Sequence, residues 1–280
     1  MKAKEISLGY FKANFLNTGF QTGAWNMAID EALFQNCKKN FNLRKKEDFS
    51  IPIFLRVYGW SKPTITVGRF QSIETDFDLE KSLIEGLDVC RRMSGGRAVL
   101  HDCELTYSII GTSEFLGEKI SETYEKISYA LKFALDKLGV ESDFALPEKT
   151  SYFSSPSCFA TYSVREILCQ GYKISGSAQF REEEVVMQHG NILFKSSEKR
   201  LSDLFHFKKN KNLARINGLG IHEILGIELE FDAVAVELKK AFEKVFDIDF
   251  AEFSMSDDDI ENAQKLVLEK YDNLSWTKAS

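Results

Sequence analysis

The sequence predicts an α+β fold in which helices flank a strand-rich middle. Residues 23–38 carry apolar side chains at helical spacing, and residues 98–110 alternate as a strand does. Helical periodicity returns from about residue 121 and again from about residue 232. This distribution is typical of mixed or antiparallel sheets flanked by helices.

The first half contains one helix and at least three strands. The first helix has an apolar face made of Trp25, Ala28, Ile29, Ala32, Leu33 and Cys37. The charged stretch Lys38–Asp48 that follows is interpreted as a surface loop. Residues 53–70 predict two short strands around a Ser-Lys-Pro turn, and residues 98–110 predict a further strand.

The second half continues with a helix, three strands and more helices. Ser121 is the predicted N-cap of a helix over residues 121–138, and Gly139 ends it. Strands are predicted at about residues 164–168, 172–180 and 185–194, the last two separated by the turn 181–184. Ser256 and Asp259 form a capping box for a last helix.

The chain is expected to be one domain over residues 1–280. The core is expected at about residues 20–250, with C-terminal helices at about 232–275, because no repeat, low-complexity tract or proline cluster divides the sequence. A net charge of −6 argues against a general nucleic-acid binder. No stretch has the roughly 18 apolar residues of a membrane span, and no signal peptide is visible, so we expect a cytoplasmic protein without membrane contact.

The five cysteines are expected to be reduced thiols rather than disulfides. Their number is odd and no C-x-x-C pair occurs, so the sequence predicts no zinc site.

A Gly-Gly turn with three arginines lies in the stretch Arg91–Asp102, RRMSGGRAVLHD. Gly95 and Gly96 allow backbone N–H groups to approach a ligand closely. The alternative is a tight turn with solvated arginines. The stretch is neither a Walker loop nor a dinucleotide-binding glycine motif.

Cys158 and Lys173 are a candidate nucleophile and its cationic partner. A cysteine attacks as the thiolate, which a nearby ammonium stabilises. The separation of 15 residues across a turn permits this pairing but does not show it, and an inert buried thiol with a surface lysine is the more usual alternative. Cys169 lies in the apolar run Ile167–Cys169, which indicates a strand interior.

Two histidines are candidate bases with structural alternatives. His189 in QHGN is a base or a strand histidine with one ring nitrogen satisfied. His101 adjoins Asp102, but neighbouring strand residues point to opposite faces, which disfavours a Cys158-His101-Asp102 triad.

Four stretches, occurring in the same order, together resemble the biotin/lipoyl protein ligase superfamily. They are GAWNMAIDEAL (23–33), RRMSGGRAVLHDCELTYSII (91–110), GYKISGSAQFR (171–181) and QHGNILF (188–194). The resemblance covers about residues 20–200 and implies the catalytic-domain fold of that superfamily.

Within the superfamily the sequence resembles LipM-type octanoyltransferases more than ATP-dependent lipoate ligases. It has Arg97 where ligases usually carry a third glycine, and Glu104-Leu105 where they carry Gly-Asn. The segment Ser157-Cys158-Phe159 matches the transferase segment that carries the acyl-accepting cysteine. Met93-Ser94 departs from the common Pro-Thr.

The resemblance implies that octanoyl passes from acyl carrier protein to Cys158 as a thioester. It then passes to a lysine of an apo lipoyl domain, such as the glycine cleavage H protein or E2 subunits, in lipoate biosynthesis. Neither ATP nor a metal is expected, because the thioester is already activated. The resemblance also implies that Lys173 is the second catalytic residue, as an ammonium or as a neutral amine.

The resemblance also implies a set of substrate-binding residues. They are Arg92, Ser94, Gly95, Gly96, Arg97, His101, Gly176, Ser177 and Ala178. Backbone N–H groups at Gly95–Gly96 and Gly176–Ala178 are expected to hold the oxyanion. For the arginines at 91, 92 and 97 two interpretations stay open: they meet acidic protein partners, or they brace the loop internally.

The sequence leaves three rival functions open. The first is an ATP-dependent lipoate–protein ligase, and the second is an amidotransferase between two lipoyl domains, which also uses a cysteine. The third is a non-enzymatic relative that binds acyl carrier protein as a scaffold.

Overall fold

The structure is a computed structural model that describes residues 11–43, 50–73, 78–145, 166–196 and 218–278. Cys158, the predicted nucleophile, lies outside the described residues.

The described strands form an eight-stranded sheet and a three-stranded sheet. Along the chain they are β1 (Phe11–Gln21), β2 (Ile51–Trp60), β3 (Thr64–Val67), β4 (Asp88–Arg91), β5 (Val99–His101), β6 (Glu104–Thr112), β7 (Asp143–Phe144), β8 (Ile167–Cys169), β9 (Tyr172–Glu182), β10 (Val185–Leu193) and β11 (Ala251–Glu252). The large sheet has the order β11-β1-β2-β6-β10-β9-β8-β7 and the small one β4-β3-β5. β1 pairs in parallel with β2 and β11, while the other neighbours in the large sheet are antiparallel.

Helices cover both faces of the large sheet. The described helices are α1 (Gly23–Leu43), α2 (Leu79–Ile84), α3 (Ser113–Leu116), α4 (Ile120–Lys137), α5 (Ile221–Leu225), α6 (Phe231–Phe246), α7 (Asp257–Leu266), which continues as a π-helical turn Val267–Tyr271, and α8 (Leu274–Lys278). Side chains alternate along β6. Ser108 donates to Asp30 of α1 on one face, whereas Tyr107 packs against Phe242 of α6 on the other. The mixed sheets flanked by helices confirm the predicted α+β class.

A buried ion pair joins α1 to the sheet. Arg56 of β2 donates from Nη1 to Oδ1 of Asp30 at 2.7 Å, and both side chains are buried. Tyr58 and Ser108 also donate to the Asp30 carboxylate. Burial opposes ionisation of Asp30 and is the largest single influence on it, yet Arg56 and His189 together outweigh burial and hold the pKa of this carboxyl below its ordinary value.

The first helix is longer than predicted. It runs to Leu43, so the interpretation of Lys38–Asp48 as a loop is wrong for its first six residues. Phe41 follows Cys37 by one helical turn and packs against the core, which extends the apolar face. Lys38 forms ion pairs with Glu182 and Glu183 at 3.3 and 3.1 Å instead of ending the helix.

Two other boundaries differ from prediction. The strand predicted over residues 98–110 is two strands, because exposed Asp102 and Cys103 turn the chain from the small sheet into the large one. The helix predicted to start with Ser121 as N-cap starts at Ile120, after Lys119. The Glu122 carboxylate accepts the Lys119 backbone N–H, which fixes the earlier start.

The Asp30–Arg56 pair predicts a large stability effect. Asp30→Asn leaves the Arg56 guanidinium buried without its counter-ion, so we expect the free energy of unfolding to fall by about 3–5 kcal/mol in urea denaturation. Glu237 makes an exposed pair with Lys240 at the same 2.7 Å distance and provides the control. Glu237→Gln should change stability by less than about 1 kcal/mol, and equal losses in the two variants would contradict the assignment.

Candidate active site

A cleft opens between α1, the Gly-Gly loop and the central strands of the large sheet. The space between its walls, including the part that is open to solvent, is about 500 Å³. Six of the predicted substrate-binding residues line it: Arg92, Gly96, His101, Gly176, Ser177 and Ala178. The other three, Ser94, Gly95 and Arg97, belong to the adjoining loop. The structure therefore brings together the loop and the β9 segment that the sequence predicted to share a site.

Arg92 holds the Gly-Gly loop from inside. Its guanidinium Nη2 donates to the carbonyl oxygens of Gly95 and Arg97, both at 2.8 Å, and Nη1 donates to the Thr66 carbonyl at 2.9 Å. A trans peptide places N–H opposite C=O, so the amides of Gly96 and Ala98 point away from the guanidinium. Gly96 lines the cleft at φ +92°, a conformation that glycine adopts without strain. Its N–H is the structure's candidate donor to a developing oxyanion.

Arg91 is equally buried and faces away from the cleft. It donates to the backbone carbonyls of Gly68, Arg69 and Gln71 at 2.6–3.0 Å, and to that of Thr277 at 2.9 Å. Burial, with Arg92 adding to it, lowers the pKa of Arg91. The interpretation of Arg91 and Arg92 as residues that meet protein partners is therefore wrong, and both brace the fold. Arg97 is half-buried.

His101 pairs with Glu104 rather than with its neighbour Asp102. Nδ1 of His101 lies 2.6 Å from Glu104 Oε1, and Nε2 lies 2.8 Å from Thr66 Oγ1. The ring stacks on Trp60 with a centroid separation of 4.1 Å. Asp102 is exposed on the turn. The disfavoured pairing of His101 with Asp102 is thus absent among the described residues.

Glu104 forms hydrogen bonds with three residues that line the cleft: Trp60, His101 and Asn191. Its carboxylate accepts from Trp60 Nε1 at 3.1 Å and from Asn191 Nδ2 at 2.6 Å. Sequence reasoning noted Glu104 only as a departure from the ligase pattern, and it did not identify Trp60 or Asn191 as site residues. Their signal is weak in sequence because each lies within a strand.

Ser94, His189 and Asp30 follow one another in space as the three residues of a hydrolase triad do. Their other contacts show that they are not arranged as one. Ser94 Oγ is 2.6 Å from His189 Nε2, whereas His189 Nδ1 is 3.8 Å from Asp30 Oδ2. Ser94 is fully buried and accepts from Arg92 Nε at 3.1 Å, while Asp30 is already paired with Arg56. His189 is thus a packed strand histidine with Nε2 satisfied, and it also lines the cleft.

Lys173 is fully buried, so the interpretation of it as a surface lysine is wrong. Its Nζ donates to Oε1 of Glu166 at 2.7 Å, and Glu166 is also buried. Sequence reasoning missed Glu166, which directly precedes β8.

A bulge in β9 decides on which face of the sheet Lys173 lies. Ile167 of β8 opposes Ser175, while Leu168 opposes Lys173, so β9 has one extra residue here. Because side chains alternate along β8, Lys173 and Ser175 point to opposite faces of the sheet. Lys173 therefore shares a face with Gly176, about 10 Å further along the strand.

The four described cysteines all have raised thiol pKa values. Burial raises the pKa of Cys37 and Cys90 to about 12. Burial also raises the pKa of Cys169, which lies in β8 as predicted, and that of Cys103. Among the described cysteines, none has the lowered pKa of a nucleophile.

The described ranges contain neither a metal-binding cluster nor a membrane-spanning helix. No group of three His, Cys, Asp or Glu side chains there is placed to hold a metal ion. None of the helices in those ranges combines the length and apolar character that crossing a membrane requires.

The burial of His189 predicts a pH-dependent stability. Burial, opposed by Asp30 and assisted by the charges of Arg92 and His101, lowers the pKa of His189 below 6.5. Below pH 6.5 the unfolded chain binds a proton there that the folded chain excludes, so stability falls as pH decreases.

We expect the free energy of unfolding of the wild type to decrease between pH 7.5 and 5.5. In His189→Gln this decrease should be smaller by about 1 kcal/mol. Urea denaturation at the two pH values measures the difference. Identical pH dependences would show that folding does not lower the pKa of His189.

Comparison with protein families matches residues 22–243 to the lipoyl protein ligase A/B catalytic domain. The octanoyltransferase LipM of Halalkalibacterium halodurans is 32% identical over 276 residues, which cover 94% of this chain and 97% of that protein. The LipM of Carboxydothermus hydrogenoformans is 35% identical over 263 residues, which cover 91% of this chain and 94% of that one.

Solved structures share the fold. A lipoate-protein ligase A bound with ATP superimposes with a TM-score of 0.75 at 21% identity, covering 96% of this chain and 99% of that one. The bipartite lipoate protein ligase from Thermoplasma acidophilum, studied with its E2 lipoyl domain, gives a TM-score of 0.76 at 20% identity and covers 96% of each chain. At these sequence identities the comparison shows a shared fold and nothing about activity.

Proposed function

The chain belongs to the family of lipoyl protein ligase A/B catalytic domains, and from its LipM relatives we infer that it is an octanoyltransferase of lipoate biosynthesis. The observation that carries this conclusion is similarity to these acyltransferases over nearly the whole chain. As the relatives' family uses lipoyl-domain proteins, the acceptor is a lysine of such a protein. We propose octanoyl-acyl carrier protein as the donor.

The proposed reaction has two steps through a thioester on Cys158. The Cys158 thiolate attacks the donor carbonyl, the donor C–S bond breaks, and the carrier thiolate leaves and takes up a proton. The acceptor amine then attacks the new thioester, loses a proton and releases the Cys158 thiolate. The first step exchanges one thioester for another and the second forms an amide, so neither needs ATP.

The cleft is proposed to hold the octanoyl chain. Met27, Trp60 and Val99 offer apolar surface to the chain. Arg92 binds the Gly95 carbonyl and not the Gly96 N–H, so the Gly96 N–H can donate to the carbonyl oxygen of the acyl group. Burial of about six methylenes stabilises the bound chain by on the order of 5 kcal/mol at most. That energy selects medium chains over acetyl but separates neighbours one methylene apart only weakly.

Lys173 is proposed to act as an ammonium. An isolated buried ammonium is costly, and the Glu166 carboxylate at 2.7 Å offsets that cost. An ammonium on the cleft face stabilises the negative charge of a thiolate nucleophile and of a tetrahedral oxyanion. The ion pair thus favours the electrostatic role over that of a neutral base.

Intact mass spectrometry tests the covalent intermediate. The protein is mixed with octanoyl-acyl carrier protein without ATP, and we expect a gain of one octanoyl mass. Cys158→Ala should lose the adduct. Cys169→Ala should keep it, because burial makes that thiol unreactive.

The rivals give different outcomes in the same assay. Transfer only with ATP and free lipoate would establish a ligase instead, and faster transfer from an octanoylated lipoyl domain would establish an amidotransferase. Carrier binding without any acyl transfer would indicate a non-enzymatic protein that binds the carrier as a scaffold. An octanoyl adduct on Cys158→Ala would place the nucleophile elsewhere.

Substitution of Lys173 tests its charge. Lys173→Met removes the cation at similar length, and we expect acyl-enzyme formation to slow at least about 100-fold. Lys173→Arg keeps a cation that does not act as a base, so it should retain most of that rate. Quench-flow mass spectrometry measures both. The double variant Lys173→Met with Glu166→Gln leaves no unpaired buried charge, which separates catalysis from folding. An Arg variant as slow as the Met variant would favour the neutral amine.

A further inference from the structure

A turn at the edge of the cleft presents two exposed side chains that the reaction chemistry does not use. We name residues Gly68–Gln71, which follow β3, the rim turn. Phe70 is 83% exposed, the most exposed of the large apolar side chains among the described residues. Arg69 beside it is exposed as well.

The rim turn is rigidly held. The backbone carbonyls of Gly68, Arg69 and Gln71 all accept from the buried guanidinium of Arg91. The Gln71 amide also closes the turn onto the Gly68 carbonyl at 3.0 Å. Phe70 is therefore exposed on a fixed backbone and not on a mobile loop.

The rim turn touches both walls of the cleft. On one side the Arg69 amide donates to the Ser94 carbonyl at 2.9 Å, and a Cβ on Gly68 would clash with the carbonyl of cleft-lining Gly96. On the other side the Arg69 guanidinium lies over the ring of Phe180, 5.5 Å from its centroid. Phe180 is two residues beyond Ala178, which lines the cleft.

The chemistry of the two side chains suits a protein partner. Within the described ranges, the Arg69 guanidinium contacts only the rings of Phe70 and Phe180 and forms no ion pair. Its N–H groups are thus available to a carboxylate or phosphate. A rigid aromatic next to an unpaired arginine is the composition that dominates binding energy at protein interfaces. Fixed geometry lowers the entropy cost of binding.

We propose that the rim turn is the docking site for the protein that carries the octanoyl thioester, a proposal that rests on the proposed function. The acyl chain of the donor enters a cleft whose Gly-Gly loop contacts the rim turn, so a carrier bound at the rim turn is held beside the site. Phe70 packs on the carrier, and Arg69 pairs with an acidic group on it. The acceptor lysine has only to reach the acyl carbonyl and depends less on this surface.

The experiment compares a protein donor with a small one. Initial rates of acyl-enzyme formation are measured with octanoyl-acyl carrier protein and with octanoyl-coenzyme A, which lacks the carrier body. For Phe70→Ala and Arg69→Ala we expect KM for the carrier to rise about fivefold or more, with kcat unchanged. KM for octanoyl-coenzyme A should not change. Arg69→Lys should restore part of the carrier affinity.

A matched control is available. Leu268 on the π-helical turn is 76% exposed, and Leu268→Ala removes a comparable apolar side chain elsewhere. It should leave both KM values unchanged. Titration of labelled carrier against each variant measures binding independently of transfer.

Other outcomes overturn the proposal. An unchanged KM for the carrier would exclude the rim turn from docking. An equal rise for both donors would place Phe70 in the acyl site instead. A defect confined to the lipoyl-domain acceptor would assign the surface to the second substrate. Absence of acyl transfer from either donor in the wild type would reject the proposed function. Normal carrier binding by all variants would reject docking at the rim turn, whatever the transfer rates.

Discussion

Two neighbouring buried guanidinium groups fix the geometry on which the candidate site depends. A buried guanidinium is tolerated only where its N–H groups find acceptors, so Arg91 and Arg92 dictate where their acceptor carbonyls lie. Arg91 secures the rim turn and, through Thr277, the C-terminal helix. Arg92 secures the two carbonyls that flank Gly96. One dipeptide at the end of β4 therefore positions both the rim of the cleft and its candidate oxyanion donor.

Buried polar pairs lie on the elements that frame the cleft and on the neighbouring strands. Asp30 with Arg56, Glu104 with His101, and Glu166 with Lys173 each bury a charge or a hydrogen-bonding ring beside a partner. Groups oriented before substrate arrives need little reorganisation in the transition state, which is how an active site stabilises charge more effectively than water does. The apolar side chains that line the cleft, among them Met27, Trp60 and Val99, can contact an acyl chain.

Sequence reasoning predicted much of the fold, because strong periodicity marks α1, α4 and the β9–β10 hairpin, and the in-order motifs indicated the family that the comparisons confirmed. It missed β1, β4 and α2, which are irregular or short. It left the role of Arg91 open because one acceptor, Thr277, is 186 residues away. The β9 bulge that turns Lys173 depends on pairing with β8, which no local pattern encodes. Cys158 stays a prediction from resemblance.

A crystal structure of the enzyme trapped with an octanoyl group, using a stable thioether analogue of the donor, tests this site most directly. We expect the chain to lie in the cleft against Trp60, with its carbonyl oxygen within hydrogen-bonding distance of the Gly96 amide. Lys173 should keep its ion pair with Glu166. A chain bound instead on the α4 face of the sheet, beside Ser175 and Ile167, would contradict the proposed site.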